Sequence, residues 1–414
     1  MARRLTLAGI AALGALFALA PSASAKPKVN GVFDVSSIGT NNQITVGPDG
    51  NVWATLDDAT NDVVRVTPQG ATTEFDLPDV TFPVGITAGP DGDLWVTQIN
   101  GVASFPPSNP SAAEDFAIGA IGGARAITVG PDGNLWTASD DQLVRIPPSN
   151  PAGFAAFTIN NMSARWIASG GGKLWIADFF GVTGGRIISA TTGGSPTFFE
   201  VGGTGPQGVT TGAKQQVAYT NQGTNPQTVG RIKPGGTAQT TDTPLADPFG
   251  ITLGSDGAYW FDQFAKSNLG RLTPKGKVTQ LGGLPANSGP RQITSGPKNT
   301  LWATLDTSDQ IARVKGVDPK AKITKGPKRN VEAEGARTKV KFRFKSPGIS
   351  GLNFQCAMKK KGDRSKRDRK LAKFRRCKSP KKYRLAPGTY KFLVRAQGIG
   401  KPGRPAKRKF EIVD

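Results

Sequence analysis

The chain has 414 residues, a formal net charge of +23 and no histidine. Without histidine it cannot form a Ser–His–Asp or Cys–His catalytic group, and no imidazole is present to bind a metal ion. The charge is unevenly distributed: residues 316–414 hold 32 basic and 7 acidic residues, and residues 1–315 hold the remaining 21 and 23. This asymmetry predicts a domain boundary near residue 316 and an anionic partner for the basic C-terminal part.

Residues 1–25 have the pattern of a secretory signal peptide. Arg3 and Arg4 precede an apolar run over residues 5–20, and an Ala-Ser-Ala sequence precedes Lys26. The apolar run is too short for a committed membrane span, and no later segment is apolar enough to cross a bilayer. We therefore expect a secreted protein without a membrane span, either extracellular or associated with the cell wall.

One phrase of about ten residues recurs seven times along the next part of the chain. Each copy has an aliphatic start and a turn, usually rich in glycine, and six of the seven end in a Trp; the first copy reads ITVGPDGNVW. The copies begin at Ile44, Ile86, Ile127, Ile167, Val209, Ile251 and Ile293. Their spacings are 42, 41, 40, 42, 42 and 42 residues. A constant period near 40 is typical of repeat architectures.

Each period predicts four short antiparallel strands. In the first period a strand at 44–47 turns through Pro48-Asp49-Gly50 into a strand around Trp53, and two more strands follow. The absence of a helical pattern argues against leucine-rich, tetratricopeptide and ankyrin repeats. We therefore predict an all-β fold with a seven-bladed β-propeller over residues 26–315. The recurring Trp is interpreted as packing between blades rather than as a ligand-stacking residue.

The ends of the repeat region predict how the ring closes. The seventh copy ends at residues 311–315 with no fourth strand after it, and residues 32–35 resemble the outer strand of the first period. We therefore expect the N-terminal strand to complete the last blade, which removes two free sheet edges.

A small β-sandwich is predicted for the basic C-terminal part, with a linker at 316–322 and the sandwich at 323–414. Strand patterns such as KVKFRF from Lys339 and TYKFLVRA from Thr389 alternate in polarity. Cys356 and Cys377 are the only cysteines, and in a secreted protein such a pair predicts a disulfide, with free thiols as the alternative. This part resembles the small immunoglobulin-like domains appended to secreted actinobacterial proteins.

The densest basic stretch is residues 359–376, KKKGDRSKRDRKLAKFRR, which we interpret as an inserted loop. Such a stretch can neutralise phosphates, but Phe374 is its only aromatic residue, so base stacking has little support. We therefore expect the domain to adhere to an anionic polymer of the cell envelope and not to nucleic acid.

The repeats themselves resemble the virginiamycin B lyase (streptogramin lyase) family, through the GPDGxLW phrases and strands such as GRLTPKGKVTQL from Gly270. The resemblance implies a magnesium-assisted elimination that uses His and Glu residues around the axis. Where the family has His, this chain has Val84, Arg125, Arg165, Gln207, Phe249 and Arg291; where it has Glu, this chain has Leu56, Gln98, Ser139, Asp178, Gln263 and Leu305. Only Asp178 keeps a carboxylate, and one Asp with amides is a poor magnesium site. We assign no catalytic residue, no metal ligand and no cofactor, since magnesium and calcium are both poorly supported.

Blade topology places both sets of positions at one end of the axial channel. The predicted ligand-binding residues at this channel mouth are Arg125, Arg165, Arg291, Gln207, Asp178, Gln98 and Gln263. The arginines can hold a carboxylate, a phosphate or a sugar acid. Alternatively, they pair with acids such as Asp57, Asp58 or Asp140 and close the channel.

Two functions follow from this pattern. The first is a monomeric, secreted propeller that binds a small ligand or a protein at its channel mouth without the family's lyase chemistry. The second is an active lyase, or a metal-dependent lactonase of the gluconolactonase kind, that uses residues other than histidine. The lactonase would draw its ligands from scattered residues, among them Asn41, Asn42 and Asn225.

Overall fold

The computed structural model describes residues 26–39, 42–58, 62–119, 122–179, 184–203, 205–224, 226–233, 235–241, 243–347, 349, 351–362 and 365–414. The predicted signal peptide, Asn41 and Asn225 lie outside these residues. No helix in the described part of the chain is long and apolar enough to cross a membrane.

Seven four-stranded antiparallel sheets form the repeat region, which confirms the predicted seven-bladed propeller. Blade 1 consists of Ile44–Val46, Val52–Thr55, Val63–Val66 and Thr72–Phe75. Blade 2 consists of Ile86–Ala88, Leu94–Gln98, Gly101–Phe105 and Glu114–Ala117. Blade 3 consists of Ile127–Val129, Leu135–Ser139, Gln142–Ile146 and Ala155–Thr158. Blade 4 consists of Ala164–Gly170, Lys173–Asp178, Arg186–Ala190 and Pro196–Glu200.

The remaining blades follow the same order, from the inner strand at the axis to the outer strand. Blade 5 consists of Pro206–Thr211, Val217–Asn221, Thr228–Ile232 and Ala238–Thr240. Blade 6 consists of Ile251–Leu253, Tyr259–Gln263, Asn268–Leu272 and Val278–Leu281. Blade 7 consists of Pro290–Gly296, Thr300–Leu305, Gln310–Lys315 and, from the N-terminus, Lys28–Asp34. Short 3₁₀ turns lie at Pro110–Ala112, Pro151–Gly153, Ala213–Gln215, Phe264–Lys266 and Asp306–Ser308.

The N-terminal strand closes the ring as predicted. Phe33 pairs with Ile311 and Val32 with Ala312 in the outer ladder of blade 7. The Phe33 ring also stacks on Trp302, with centroids 5.7 Å apart, in the same way that Phe75 stacks on Trp53 within blade 1. The closing strand therefore supplies both the backbone pairing and the aromatic contact that the other blades obtain locally.

The recurring Trp packs between blades, as expected from the sequence. Trp53 of blade 1 lies fully buried in a cluster with Ile86 and Leu94 of blade 2, and Trp302 of blade 7 packs with Ile44 and Val52 of blade 1. In five blades a glycine in the turn before the Trp allows the indole ring to approach the backbone closely. A Cβ atom on Gly47 would lie 2.8 Å from the Trp53 ring, so only glycine allows this close approach.

The turn aspartates have two bonding roles, of which the sequence predicted only one. The Asp49 carboxylate accepts the backbone N–H of Asn51 at 3.0 Å, which is the expected turn-stabilising bond. The same carboxylate accepts the indole N–H of Trp53 at 3.2 Å. Asp91, Asp132 and Asp256 bind the indoles of Trp95, Trp136 and Trp260 in the same way. The buried indole donor is thereby satisfied in four blades.

The C-terminal part forms two further sheets around their own core. The three-stranded sheet contains Lys322–Lys325, Thr338–Lys345 and Lys381–Leu385. The five-stranded sheet contains Asn330–Glu332, Ala406–Val413, Gly388–Gln397, Asn353–Lys360 and Arg375–Cys377. Phe342 and Phe392 stack between the two sheets, with ring centroids 4.0 Å apart. We call residues 316–414 the tail domain; its immunoglobulin-like character stays a prediction.

The predicted disulfide is present, but the basic segment is not simply a loop. Cys356 and Cys377 are bonded, with Cα atoms 5.8 Å apart. Within residues 359–376 the chain forms a helix, Lys366–Leu371, which corrects the expected loop. Ser365 caps this helix, because its hydroxyl accepts the backbone N–H of Asp368 at 3.1 Å. The Ser-x-x-Asp pattern was the missed sequence signal.

The tail domain contacts the propeller on the face that carries the turns between the first and second strands of the blades. Ile349 and Leu352 lie over Gly257 in the turn of blade 6. In blade 7 the Asn299 side chain donates hydrogen bonds to Asp318 at 2.9 Å and to the carbonyl of Lys401 at 3.1 Å. Because these turns lie at the far end of the inner strands from the channel mouth, the tail domain leaves the mouth uncovered.

We expect the Phe33→Ala variant to lose about 2–4 kcal/mol of unfolding free energy, because the contact with Trp302 that closes the ring is removed. Urea unfolding of the full chain measures this loss. Phe198→Ala is the control: this outer-strand Phe of blade 4 is 44% exposed and should cost less than about 1 kcal/mol. Equal losses in the two variants would contradict a special role for the closing strand.

Candidate functional site

The channel mouth is a small cavity built from residues at the start of the inner strands or just before them. Its volume is about 50 Å³. Four of the seven predicted residues line it together with three others: Arg125, Arg165, Gln207 and Arg291 with Trp166, Phe249 and Gln292. The mouth therefore has cationic and aromatic walls and room for only a compact group.

Threonine hydroxyls near the axis hold these chain segments together, and no motif in the sequence indicated this role. In blade 1 the Thr55 hydroxyl accepts the backbone N–H of Gln43 at 3.1 Å and donates to the carbonyl of Val84 in blade 2 at 2.8 Å. Thr220 links blades 5 and 6 in the same manner, accepting from Gly208 and donating to Phe249. Each such hydroxyl thus fixes one mouth segment relative to the next.

Arg125 and Arg165 are neighbouring cations without an ion-pair partner among the described residues. The Arg165 guanidinium lies over the Phe179 ring, 4.6 Å from its centroid, and its buried Nε makes no hydrogen bond to the described residues. Burial and the nearby positive charge of Arg125 lower the pKa of Arg165, while Asp140 opposes this shift. Two guanidinium groups so placed attract an anion.

Arg291 behaves differently from the other two arginines. It forms an ion pair with Asp306, and its guanidinium lies between the rings of Phe249 and Phe264, at 4.1 and 4.7 Å from their centroids. The alternative of a paired, channel-closing arginine therefore applies to Arg291. Its partner is Asp306 rather than any of the acids named from the sequence.

Asp178 and Gln263 do not line the mouth, which corrects the expected ring of seven residues. Asp178 is fully buried, and its carboxylate accepts from Arg186 Nε at 2.7 Å and from the backbone of Ser163 at 2.8 Å. Gln263 is fully buried and donates to Asn268. Both residues lie at the end of the second strand of their blade. Their side chains bond to residues of the third strand, Arg186 and Asn268, and do not face the axis.

Gln98 lies beside the mouth in a separate apolar shelf of about 340 Å³. The shelf is lined by Phe82, Val84, Gln98, Ile99, Gly123, Ala124 and Arg125. Phe82 is 67% exposed and has a φ of 51°, so a bulky residue is held in a strained backbone conformation with its ring facing solvent. Backbone strain of this kind clusters at active sites and ligand clamps. The sequence pattern did not indicate this shelf.

A protein-family model matches most of the chain. The model of the virginiamycin B lyase family matches residues 30–150 and 156–330. The chain belongs to the virginiamycin B lyase family. A comparison with curated proteins found no match.

Solved structures of this family share the propeller fold. Virginiamycin B lyase from Staphylococcus aureus is 22% identical, with a TM-score of 0.61, and the match covers 70% of this chain and 99% of that chain. A catalytically inactive histidine-to-alanine form of the S. aureus enzyme with quinupristin gives a TM-score of 0.60 at the same identity and coverage. A streptogramin B lyase is 20% identical, with a TM-score of 0.59, and covers 70% of this chain and 97% of its own. At this identity the likeness shows the fold alone.

The residues at the mouth do not fit the magnesium ion that the family resemblance implies. In the described part of the chain no group of three or more His, Cys, Asp or Glu residues is placed to hold a metal ion. The cavity is instead lined by Arg125, Arg165 and Arg291, whose charges repel a cation.

Two buried carboxyl groups lie beneath the arginine side of the mouth. Asp262 of blade 6 accepts the backbone N–H groups of Phe249 and Gly250 at 2.9 and 2.7 Å. Complete burial raises its pKa well above the ordinary value, and the two N–H groups oppose this. Burial also raises the pKa of Asp306 to about 7, because it outweighs the attraction of Arg291. Each group favours its neutral form more strongly in the folded than in the unfolded chain.

The Asp306 carboxyl should make the protein less stable as the pH rises. Its pKa is about 7 in the folded chain against an ordinary value of 3.8 for an unperturbed Asp. Its contribution to the free energy of unfolding is therefore fully present below about pH 4 and is lost as the pH passes 7. In the Asp306→Asn variant the side chain at this position cannot ionise. We expect this variant to reduce the loss of unfolding free energy between pH 5 and 8 by about 1–3 kcal/mol. Urea unfolding at several pH values measures this, and an unchanged pH dependence in the variant would contradict it.

Proposed function

We propose that this protein is a secreted member of the virginiamycin B lyase family that binds a small ligand at the channel mouth and lacks the family's histidine-dependent lyase chemistry. The observation that carries the proposal is the pair of adjacent guanidinium groups, Arg125 and Arg165, which line the cavity without an ion-pair partner among the described residues. An anionic ligand group would supply the missing counter-charge.

The dimensions of the site restrict the ligand. A cavity of about 50 Å³ accepts a carboxylate or phosphate group but not a whole drug-sized molecule. The shelf of about 340 Å³ joins the cavity at Arg125 and presents Phe82 and Ile99. The proposed ligand therefore carries an anionic group for the arginines and an apolar part for the shelf.

Loss of the lyase chemistry is supported by composition. The S. aureus enzyme in the quinupristin structure is catalytically inactive with one histidine replaced by alanine. The present chain has no histidine at all, and the carboxylate of Asp178 is engaged by Arg186. An imidazole general base is therefore absent from this protein.

An enzymatic function with other residues is the second candidate. One observation favours it: Asp306 has a pKa of about 7 and contacts Arg291 at the edge of the mouth, as a general acid or base near neutral pH would. The candidate reactions are the family's ring-opening elimination and lactone hydrolysis.

We also propose that the tail domain anchors the secreted protein to an anionic polymer of the cell envelope. The 32 basic residues against 7 acidic ones in residues 316–414 support this partner. Because the tail domain sits on the turn face, an anchored protein keeps its channel mouth free for ligand.

Binding of small anions tests the mouth directly. Benzoate, phenylacetate and inorganic phosphate serve as probes in calorimetric titrations of the full chain. Arg125→Gln combined with Arg165→Gln should weaken binding of the tightest probe by about 10- to 100-fold, because charge-assisted hydrogen bonds are lost.

Lys173→Gln is the control for loss of positive charge away from the mouth. Lys173 begins the second strand of blade 4 next to the turn, on the face opposite the mouth, and its replacement should leave probe affinity within about twofold. An equal effect of both variants would mean that overall charge, and not the mouth, attracts the anions.

An assay with streptogramin B antibiotics and a lactone panel separates the two candidate functions. The binding function predicts no turnover above background, with or without added magnesium or calcium. Turnover that disappears in Asp306→Asn would overturn the binding-only function and support the enzymatic one.

A further inference from the structure

The tail domain contains a pocket of about 340 Å³ beside its disulfide. Its walls are the helix Lys366–Leu371, the short strand Arg375–Cys377 and the start of the strand Lys381–Leu385. Six cationic residues line it: Arg367, Lys370, Lys373, Arg375, Arg376 and Lys381. We propose that this cationic pocket binds successive phosphate groups of a phosphodiester-linked envelope polymer. The proposal rests on the anchoring function proposed above and assigns it to one site.

The disulfide and the helix hold the cations in place. Cys377 lies in a short strand in which Arg376 pairs with Gln355 and Arg375 pairs with Cys356, so the bridge fixes the strand that carries two of the arginines. Leu371 packs against the core of the tail domain, which fixes the end of the helix. Cations from three separate elements are therefore positioned before any ligand arrives.

The charge within the pocket is not balanced by its own lining. Among the residues that the structure describes, no acidic side chain lines it, and Asp368 of the helix bonds to Ser365 instead. A second basic surface, formed by the strand Thr338–Lys345 and the segment around Glu332, differs in this respect: a pocket of about 650 Å³ there contains Lys339, Lys341 and Arg343 together with Glu332 and Glu334. Crowding six like charges costs free energy that a bound polyanion would relieve.

The aromatic residues near the pocket favour a polymer without bases. The Phe374 ring is covered by the Arg395 guanidinium, 4.0 Å from its centroid. Tyr383 packs edge-on against Phe342 and Phe392 in the core. Neither ring is free to stack on a nucleobase, which single-stranded nucleic acid would require for tight binding. Phosphate groups on a flexible polyol chain need only the cations.

The experiment compares two variants of the full chain that lose the same charge. The pocket variant carries Lys370→Gln, Lys373→Gln and Arg375→Gln, and the control variant carries Lys339→Gln, Lys341→Gln and Arg343→Gln. All six side chains are exposed, so neither variant should disturb the core. The probe is poly(glycerol phosphate) coupled to a sensor surface at about 150 mM salt, where screening extends about 8 Å.

We expect the pocket variant to bind the probe at least 10-fold more weakly than the wild type and with a shallower dependence on salt. The control variant should stay within about threefold of the wild type. Thermal unfolding of each variant checks its fold, and the single replacement Lys370→Glu, with an expected loss of at least fivefold, repeats the test if the triple variant fails to fold.

The other outcomes overturn the proposal in distinguishable ways. Equal losses of probe binding in the two triple variants would show that the tail domain binds through its overall charge. This result would refute the pocket as the binding site and would leave the anchoring function intact. Absence of binding by the wild type would refute the anchoring function itself. Equal binding to a polyuronate of similar charge density would refute the preference for phosphate, and tighter binding to a single-stranded oligonucleotide would make nucleic acid the partner.

Discussion

The buried tryptophan between neighbouring blades is the contact on which the rest of the propeller depends. Each ring belongs to one blade but packs in the core shared with the next, as Trp53 does with Ile86 and Leu94. A buried indole also needs an acceptor for its N–H, and the turn aspartate supplies one four residues earlier. The turn, the blade interface and the angle between blades are therefore coupled through one side chain. The ring closes because Trp302 makes the same contact with blade 1 that the other tryptophans make with their following blades.

Blade 5 departs most from the repeated sequence pattern, because its copy lacks the Trp. It has Ala218 where the other blades have Trp. Tyr219 packs with Trp175 in the core between blades 4 and 5, and the core between blades 5 and 6 contains Tyr259 beside Ala218. Tyr259 of blade 6 is buried close by and donates to the carbonyl of Gln216. Burial raises the pKa of both tyrosines, so they stay neutral at any physiological pH. The phenol ring of Tyr259 thus takes the place of the indole in the core between blades 5 and 6.

The channel mouth shows how a shared scaffold can carry a different surface. The threonine bonds that join neighbouring blades position the backbone before each inner strand, whatever side chain that position carries. The side chains there are consequently free to vary without cost to the fold. In this chain they are arginine, glutamine and aromatic residues, so the electrostatic character of the mouth is cationic, while its aromatic rings limit its width.

The sequence by itself determined the seven blades, the closing strand and the disulfide, because each depends on a local pattern: a fixed period, a strand without a partner and a pair of cysteines. Charge partition likewise identified the basic tail domain from counting alone. Only the tertiary structure decided which predicted site residues meet. Arg125, Arg165, Gln207 and Arg291 converge on the axis, whereas Asp178 and Gln263 pair within their own sheets. The apolar shelf at Phe82 and the buried Asp262 and Asp306 also arise from segments of different blades. Packing between blades determines where a side chain at a strand end points and which residues bury it. The spacing of residues along the chain does not show this packing.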